Sequence, residues 1–239
     1  MQSSVYVSLS AQLTLQRRLE SIANNVANLA TPGFRSEQVS FAAAASAAGP
    51  ELVDYASKGH DFISTRSGSV SKTENPLDVA INGDAWFAVA TSSGVAYTRD
   101  GRFRISSGGD LETINGQKVL DIGGATIQID PAGGRPVIAR DGTISQNARS
   151  IGSIGLFLID PTSSLRRGEN ASVVPSKPAV PQLDFNQVSV LQGYIEQSNV
   201  DPIQEMTKLI ALQRMFDSIS NSVNEIESSM SDAIRTLAS

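Results

Sequence analysis

Asp201-Pro202-Ile203-Gln204 opens a run that reaches Leu237, and within it Leu209, Leu212, Phe216, Ile219, Val223, Ile226, Met230, Ala233 and Leu237 follow at alternating three- and four-residue steps. This is the a/d spacing of a coiled-coil seam. Gln213, Arg214, Asp217, Asn221, Glu225 and Asp232 lie between them, so the opposite face is wet and the helix is neither a core helix nor a membrane span. Asp201 offers an acidic N-cap, Pro202 suits the first helical position, and Gln204 stands where a capping box places its amide. At 1.5 Å per residue the helix is about 55 Å long, and something long must lie against it.

The other end of the chain supplies a candidate. Leu15, Leu19, Ile22, Val26 and Leu29 repeat at four-three-four-three spacing, with Val5, Leu9 and Leu13 on an adjacent row. The spacing predicts a helix over 3–30, about 40 Å long, stopped by Pro32-Gly33 because the residue before a proline is pushed out of the helical region. The shorter helix leaves part of the C-terminal seam uncovered. Neighbouring subunits would complete it through a heterologous contact that builds a helical assembly.

Between the helices the period changes to two. Asn82-Gly83, Asp100-Gly101, Asn115-Gly116 and Asp141-Gly142 each separate alternating runs, the pattern of hairpins with type I′ turns. Gly155 to Asp160 reads as a buried central strand, and Val173 to Pro181, with three prolines at three-residue intervals, as an extended spacer leading out of the β domain. Ala42 to Ala48 is nearly all alanine and serine and reads as a short helix or a mobile linker. The expected fold class is therefore α+β: long N- and C-terminal amphipathic helices pairing as a coiled coil, with a central antiparallel all-β domain. The expected organisation is 1–35 as the N-terminal helix of a helical core domain, 36–66 as linker, 67–181 as the β domain, and 182–239 as return linker and C-terminal helix.

Composition narrows the function. The chain has 239 residues, a net charge of −5, no cysteine and one histidine, His60. No basic face exists for nucleic acid, and no thiolate or paired-histidine metal site can be built. His60, beside Gly59 and Asp61, reads as a solvated linker residue. Ser71-Lys72-Thr73 lacks the glycine that a phosphate loop needs before its lysine, and Asp100 and Asp141 are accounted for by turns. Expected catalytic, cofactor-binding and metal residues are none, and no enzyme activity is expected. The N-terminus has no basic lead into a continuous apolar run, so the chain is expected either to stay in the cytoplasm or to leave by a route that needs no cleaved signal, and no membrane insertion is expected.

Asn24, Asn25 and Asn28 stand out in the first helix, since asparagine costs about 0.5 kcal/mol relative to alanine at a helical position. Two readings are open. The amides form a polar outer face near a helix end, or they hydrogen-bond a neighbouring backbone. The run from Ile22-Ala23-Asn24-Asn25-Val26-Ala27-Asn28 through Leu29-Ala30-Thr31-Pro32-Gly33-Phe34-Arg35 resembles the N-terminal signature of the bacterial flagellar rod, hook and hook-associated axial proteins. Gly193 to Pro202, with Glu205-Met206 and Gln213-Arg214, resembles the C-terminal signature of that family, and Asp78 to Gly83 and Thr98 to Phe103 fit its middle segment.

The resemblance implies a structural axial subunit of the proximal rod, part of a drive shaft crossing the periplasm, exported by the flagellar export apparatus and assembled with other rod proteins into a helical hetero-assembly. A distal rod subunit is the alternative within the family. An extracellular coiled-coil adhesin or phage-tail fibre subunit is the alternative outside it. Candidate assembly-interface residues are Leu15, Leu19, Ile22, Asn24, Asn25, Val26, Asn28 and Leu29 on the first helix and its end, and Leu209, Leu212, Phe216, Ile219, Val223, Ile226, Met230 and Leu237 on the second. Pro32, Gly33, Phe34, Asp201 and Pro202 are candidate structural corners.

Overall fold

A computed structural model describes residues 2–40, 43–46, 53–56 and 60–238, with side chains for 10, 12–40, 61–221 and 228. The chain divides into two compact units. One combines Met1–Ala27, Glu37–Phe62 and Asp201–Ser239; the other combines Asn28–Ser36 with Ile63–Val200.

The first unit carries two helices, α1 (Gln2–Ala27) and α2 (Pro202–Ala238). The Asp201 carboxylate caps α2, accepting the amides of Ile203 at 2.9 Å and Gln204 at 3.2 Å, which satisfies two of the donors a helix start leaves open. Within the alanine-rich stretch the described residues, Ala43–Ser46, are a strand and not a helix, paired antiparallel with Val53–Ala56; Ala42, Ala47 and Ala48 lie outside the described residues. His60 opens the strand His60–Ile63, and its side chain lies outside those described.

The second unit is built of antiparallel strands. Its largest sheet has six, in the spatial order Leu165–Arg167, Val173–Pro175, Gly94–Thr98, Ala85–Thr91, Leu156–Leu158 and Val180–Pro181. Ala85–Thr91 is the central strand, with Ala85 to Val89 all buried, and Phe87 meets Phe103 edge to face at 5.2 Å. The core around it, including Val79, Ile81, Leu111, Val119, Ile129, Ile144 and Leu156, is closed to solvent. Ser189–Gln192 pairs with Val79–Asn82, and Tyr194–Glu196 pairs with Val70–Lys72, so the segment just before α2 is sheet.

Several expectations are corrected. The class of α+β with terminal helices pairing as a coiled coil does not hold, because among the described residues two helices stand against nineteen strands, six of them in one sheet, and no coiled coil forms. Among the described side chains the helices share an apolar cluster in which Leu15, Ile22 and Leu212 are buried and Val26, Leu209 and Ile219 flank them. Leu19 and Phe216, expected in the same seam, are 43% and 48% exposed. A helix of 3.6 residues per turn drifts about 20° per heptad from a strict a/d row, and without supercoiling the row leaves the contact. Helix α1 also stops at Ala27, where a turn begins in which Asn28 accepts the Thr31 amide at 3.2 Å and its hydroxyl at 3.1 Å.

Two of the four glycine turns are hairpins. Thr113 and Gln117 bond across Asn115-Gly116, and Val137–Ile138 pairs with Thr143–Gln146 across Asp141-Gly142. Asn82-Gly83 and Asp100-Gly101 instead connect strands lying in different sheets. The Gly83 carbonyl is claimed by Arg99 and the Gly101 carbonyl by the Val79 amide, so neither closes a local turn. The proline-rich spacer is also overturned, since Val173–Pro175 and Val180–Pro181 are both strands of the six-stranded sheet, the latter at its edge, where a proline costs no ladder bond.

Candidate functional site

In the helical unit the chemistry converges on Asn25, which is 2% exposed. Its Nδ2 donates to the Glu37 carbonyl at 2.8 Å and to Glu205 Oε2 at 3.2 Å, while its Oδ1 accepts the Glu37 amide at 2.8 Å. The side-chain amide thus pairs with a peptide group as a strand neighbour would. Ser21 Oγ adds a bond to the Glu37 carbonyl at 2.9 Å, and Asn24 Nδ2 reaches the Glu37 carboxylate at 3.1 Å. Lys208 neutralises Glu205 at 2.6 Å, one helical turn along α2. These bonds answer the helix-propensity cost of Asn24 and Asn25 and favour the backbone-pairing reading over the polar outer face.

The apolar residues of this unit are not all covered. Beside the buried Leu15, Ile22 and Leu212, a groove is lined by Leu13, Leu19 and Phe216 with Gln12, Gln16 and Asp217 at its rim. Leu13 is 56% exposed, and Ile210 and Met215 are also open. Val223, Ile226, Met230 and Leu237 fall on α2 beyond the described side chains.

In the β unit the corner Pro32, Gly33 and Phe34 is buried and Leu29 half-buried. Gly33 has φ +70°, and a Cβ there would sit 2.2 Å from the Asp100 amide nitrogen, so only glycine fits. Its own amide donates to the Glu196 carbonyl at 2.8 Å. Around this corner three charged side chains meet out of solvent. Glu196 holds Arg35 through Oε1 at 2.9 Å and Arg99 through Oε2 at 2.6 Å, and the Gly68 amide donates to Oε1 at 3.0 Å. Arg99 also donates to the carbonyls of Ile81, Gly83 and Ala85 and to the Ser67 hydroxyl.

Trp86 lies beneath both guanidiniums, 5.3 Å from Arg35 and 6.0 Å from Arg99, in cation–π range. Burial lowers Arg35 to about 10, against the upward pull of Glu196, and burial lowers Arg99 as well. Arg35 stays charged at neutral pH. Asn199 continues the stitching, accepting the Ser36 amide at 2.7 Å and donating to the Arg66 carbonyl at 2.6 Å.

The sequence reading named Gly33 and Phe34 as corners but missed Arg35, Arg99 and Glu196 as a set. The available signal was a charge in each of three separated motifs, two positive and one negative. Among the described residues no cluster of metal-ligating side chains occurs and no helix is long and apolar enough to cross a membrane.

Those three motifs fall in three matched families. The family of flagella basal body rod proteins matches residues 5–35, the flagellar hook protein FlgE/F/G D1 domain matches 80–146, and the flagellar basal body rod FlgEFG C-terminal family matches 191–236. Arg35, Arg99 and Glu196 come one from each. The class is thus the rod and hook proteins of the flagellar axis. The chain is 46% identical to the flagellar basal-body rod protein FlgF of Mesorhizobium japonicum, over all of this chain and 99% of the relative, and 43% identical to that of Rhizobium meliloti, over 99% and 98%. It is 31% identical to the rod protein FlgG of Bacillus subtilis over 90% of this chain and 91% of the relative.

The chain belongs to the flagellar basal-body rod protein family, in its FlgF-like branch. It is a structural component of the basal body, in the proximal rod, and its relatives are structural proteins that assemble with other rod components.

Proposed function

We propose that this chain is a non-catalytic subunit whose helical unit polymerises with other rod subunits into a helical hetero-assembly, while its β unit folds without help. The observation that carries this reading is the uncovered apolar row of Leu13, Leu19 and Phe216 beside a cluster that has three buried members among the described side chains. Fully burying such side chains stabilises by about 1.5–3 kcal/mol each, so a neighbour that covers them is strongly favoured. Leu15, Ile22 and Leu212 hold the subunit's own helices; Leu19 and Phe216 face the neighbour. The assembly lies in the periplasm, and the chain reaches it through the flagellar export apparatus.

A photo-crosslinking residue placed at Phe216 in living cells tests this. The expected product is a covalent adduct with another rod subunit. An adduct confined to non-flagellar periplasmic proteins, or none in cells that swim, would overturn the reading.

A further inference from the structure

The interface row is presented by helices whose described apolar contact is made of aliphatic side chains alike in size. Leu15, Ile22 and Leu212, with Val26 and Leu209 beside them, are interchangeable aliphatic knobs. Sliding one helix by a turn, about 5.4 Å, would replace one leucine by another and leave the apolar contact much as before. Apolar contacts therefore do not select a register here. A polar group with several directional bonds does, as a buried asparagine selects register in helical pairs.

Asn25 is the group with that property. It is buried on α1, and its three bonds reach two elements at once: the peptide of Glu37, and the Glu205 carboxylate on α2. The Glu37 pairing uses both ends of the amide, which fixes which atom is nitrogen, and only that nitrogen can then donate to Glu205. Glu205 is itself 4% exposed and held by Lys208 from its own helix. A one-turn slip would carry Glu205 away from Asn25 and leave a buried donor and a buried acceptor unmatched.

We propose that Asn25 is a positioning residue: by tying the Glu37 peptide to Glu205 it sets the register of α1 against α2, and so the line along which Leu19 and Phe216 are offered to the neighbouring subunit. Asn25 itself touches no neighbour. This rests on the polymerisation reading given above, and it changes what a defect at Asn25 means.

The test uses the full chain. Asn25→Asp keeps the shape but removes the two donated bonds and sets a carboxylate against that of Glu205; adding Glu205→Gln restores a donor facing the introduced carboxylate. The chain has no cysteine, so Leu15→Cys with Leu212→Cys reports the native register as a disulfide in purified protein, and subunit content of isolated basal bodies reports assembly. Asn25→Asp is expected to lower both the disulfide yield and incorporation at least tenfold, and the double variant to recover most of each. Trp86 fluorescence on denaturation would stay unchanged in all of them, showing that the β unit is folded. Normal incorporation of Asn25→Asp overturns the proposal. So does lost incorporation with a normal Leu15→Cys to Leu212→Cys disulfide, which would make Asn25 a contact to the neighbour. Separately, Phe216→Asp that assembles normally would overturn the polymerisation reading, and the disulfide result would still decide the register role.

Discussion

The two units differ in what holds their buried groups. In the β unit a buried carboxylate has two guanidiniums and a backbone amide, Arg99 has three carbonyls besides, and the apolar core is closed. Among the described side chains of the helical unit, three buried aliphatic residues lie between the helices, Asn25 bonds to Glu37 and Glu205, and Leu13, Leu19 and Phe216 stay open. On the reading proposed above, the closed apolar core belongs to the part that keeps its shape alone, and the open apolar row to the part that neighbouring subunits complete.

The sharpest way to break this comparison is to spoil the closed part. Glu196→Ala would strand two buried guanidiniums and is expected to cost the β unit about 3–5 kcal/mol, read as a shift in the urea midpoint followed through Trp86 fluorescence. A cost under about 1 kcal/mol would mean the arginines find other partners and the cluster is not the unit's tie. Gly33→Ala comes next. Its Cβ would meet backbone, which cannot rotate aside, and about 1–3 kcal/mol of destabilisation is expected, again by urea titration.

A smaller effect runs the other way. Asn147 and Ala148 have φ +52° and +60° in the turn between Thr143–Gln146 and Arg149–Ser153, where alanine is strained. Ala148→Gly should raise the β unit's stability by about 0.5–1 kcal/mol, measurable as a higher midpoint. The smallest expected effect on the β unit is the most informative. Leu212→Asp should change its midpoint by less than about 0.5 kcal/mol, yet abolish incorporation into basal bodies; a coupled loss of both would show that the units are not independent.

What the sequence made legible was local. Helix periodicity, the Asp201 cap and the Asn115-Gly116 and Asp141-Gly142 hairpins depend on residues within a few positions of one another, and each is found where its signal stands. The errors were made where a distant partner takes the bond that a local motif would use. Asn82-Gly83 carries a strong hairpin signal, but Arg99 takes its carbonyl from sixteen residues away. The hairpin at Asn147-Ala148 was invisible because its second turn residue is not glycine. The heptad row was real as a pattern and misleading as a seam, since periodicity shows that a face is apolar and not what covers it. Of the candidate site, the apolar residues were readable and Asn25 was visible as an oddity, whereas Arg35, Arg99 and Glu196 required the fold to bring them together.

The Glu196 cluster also has a consequence in time. A ribosome delivers this chain from residue 1 onward, so Arg35 appears early, Arg99 near the middle, and Glu196 only when four-fifths of the chain has emerged. Until then the two guanidiniums repel each other and have no reason to desert water. The strands Ser189–Gln192 and Tyr194–Glu196, which complete the pairings of Val79–Asn82 and Val70–Lys72, arrive in the same late stretch. The β unit therefore cannot close until the stretch 189–196 has been made, and the acid that pairs its two buried guanidiniums is the last one it receives.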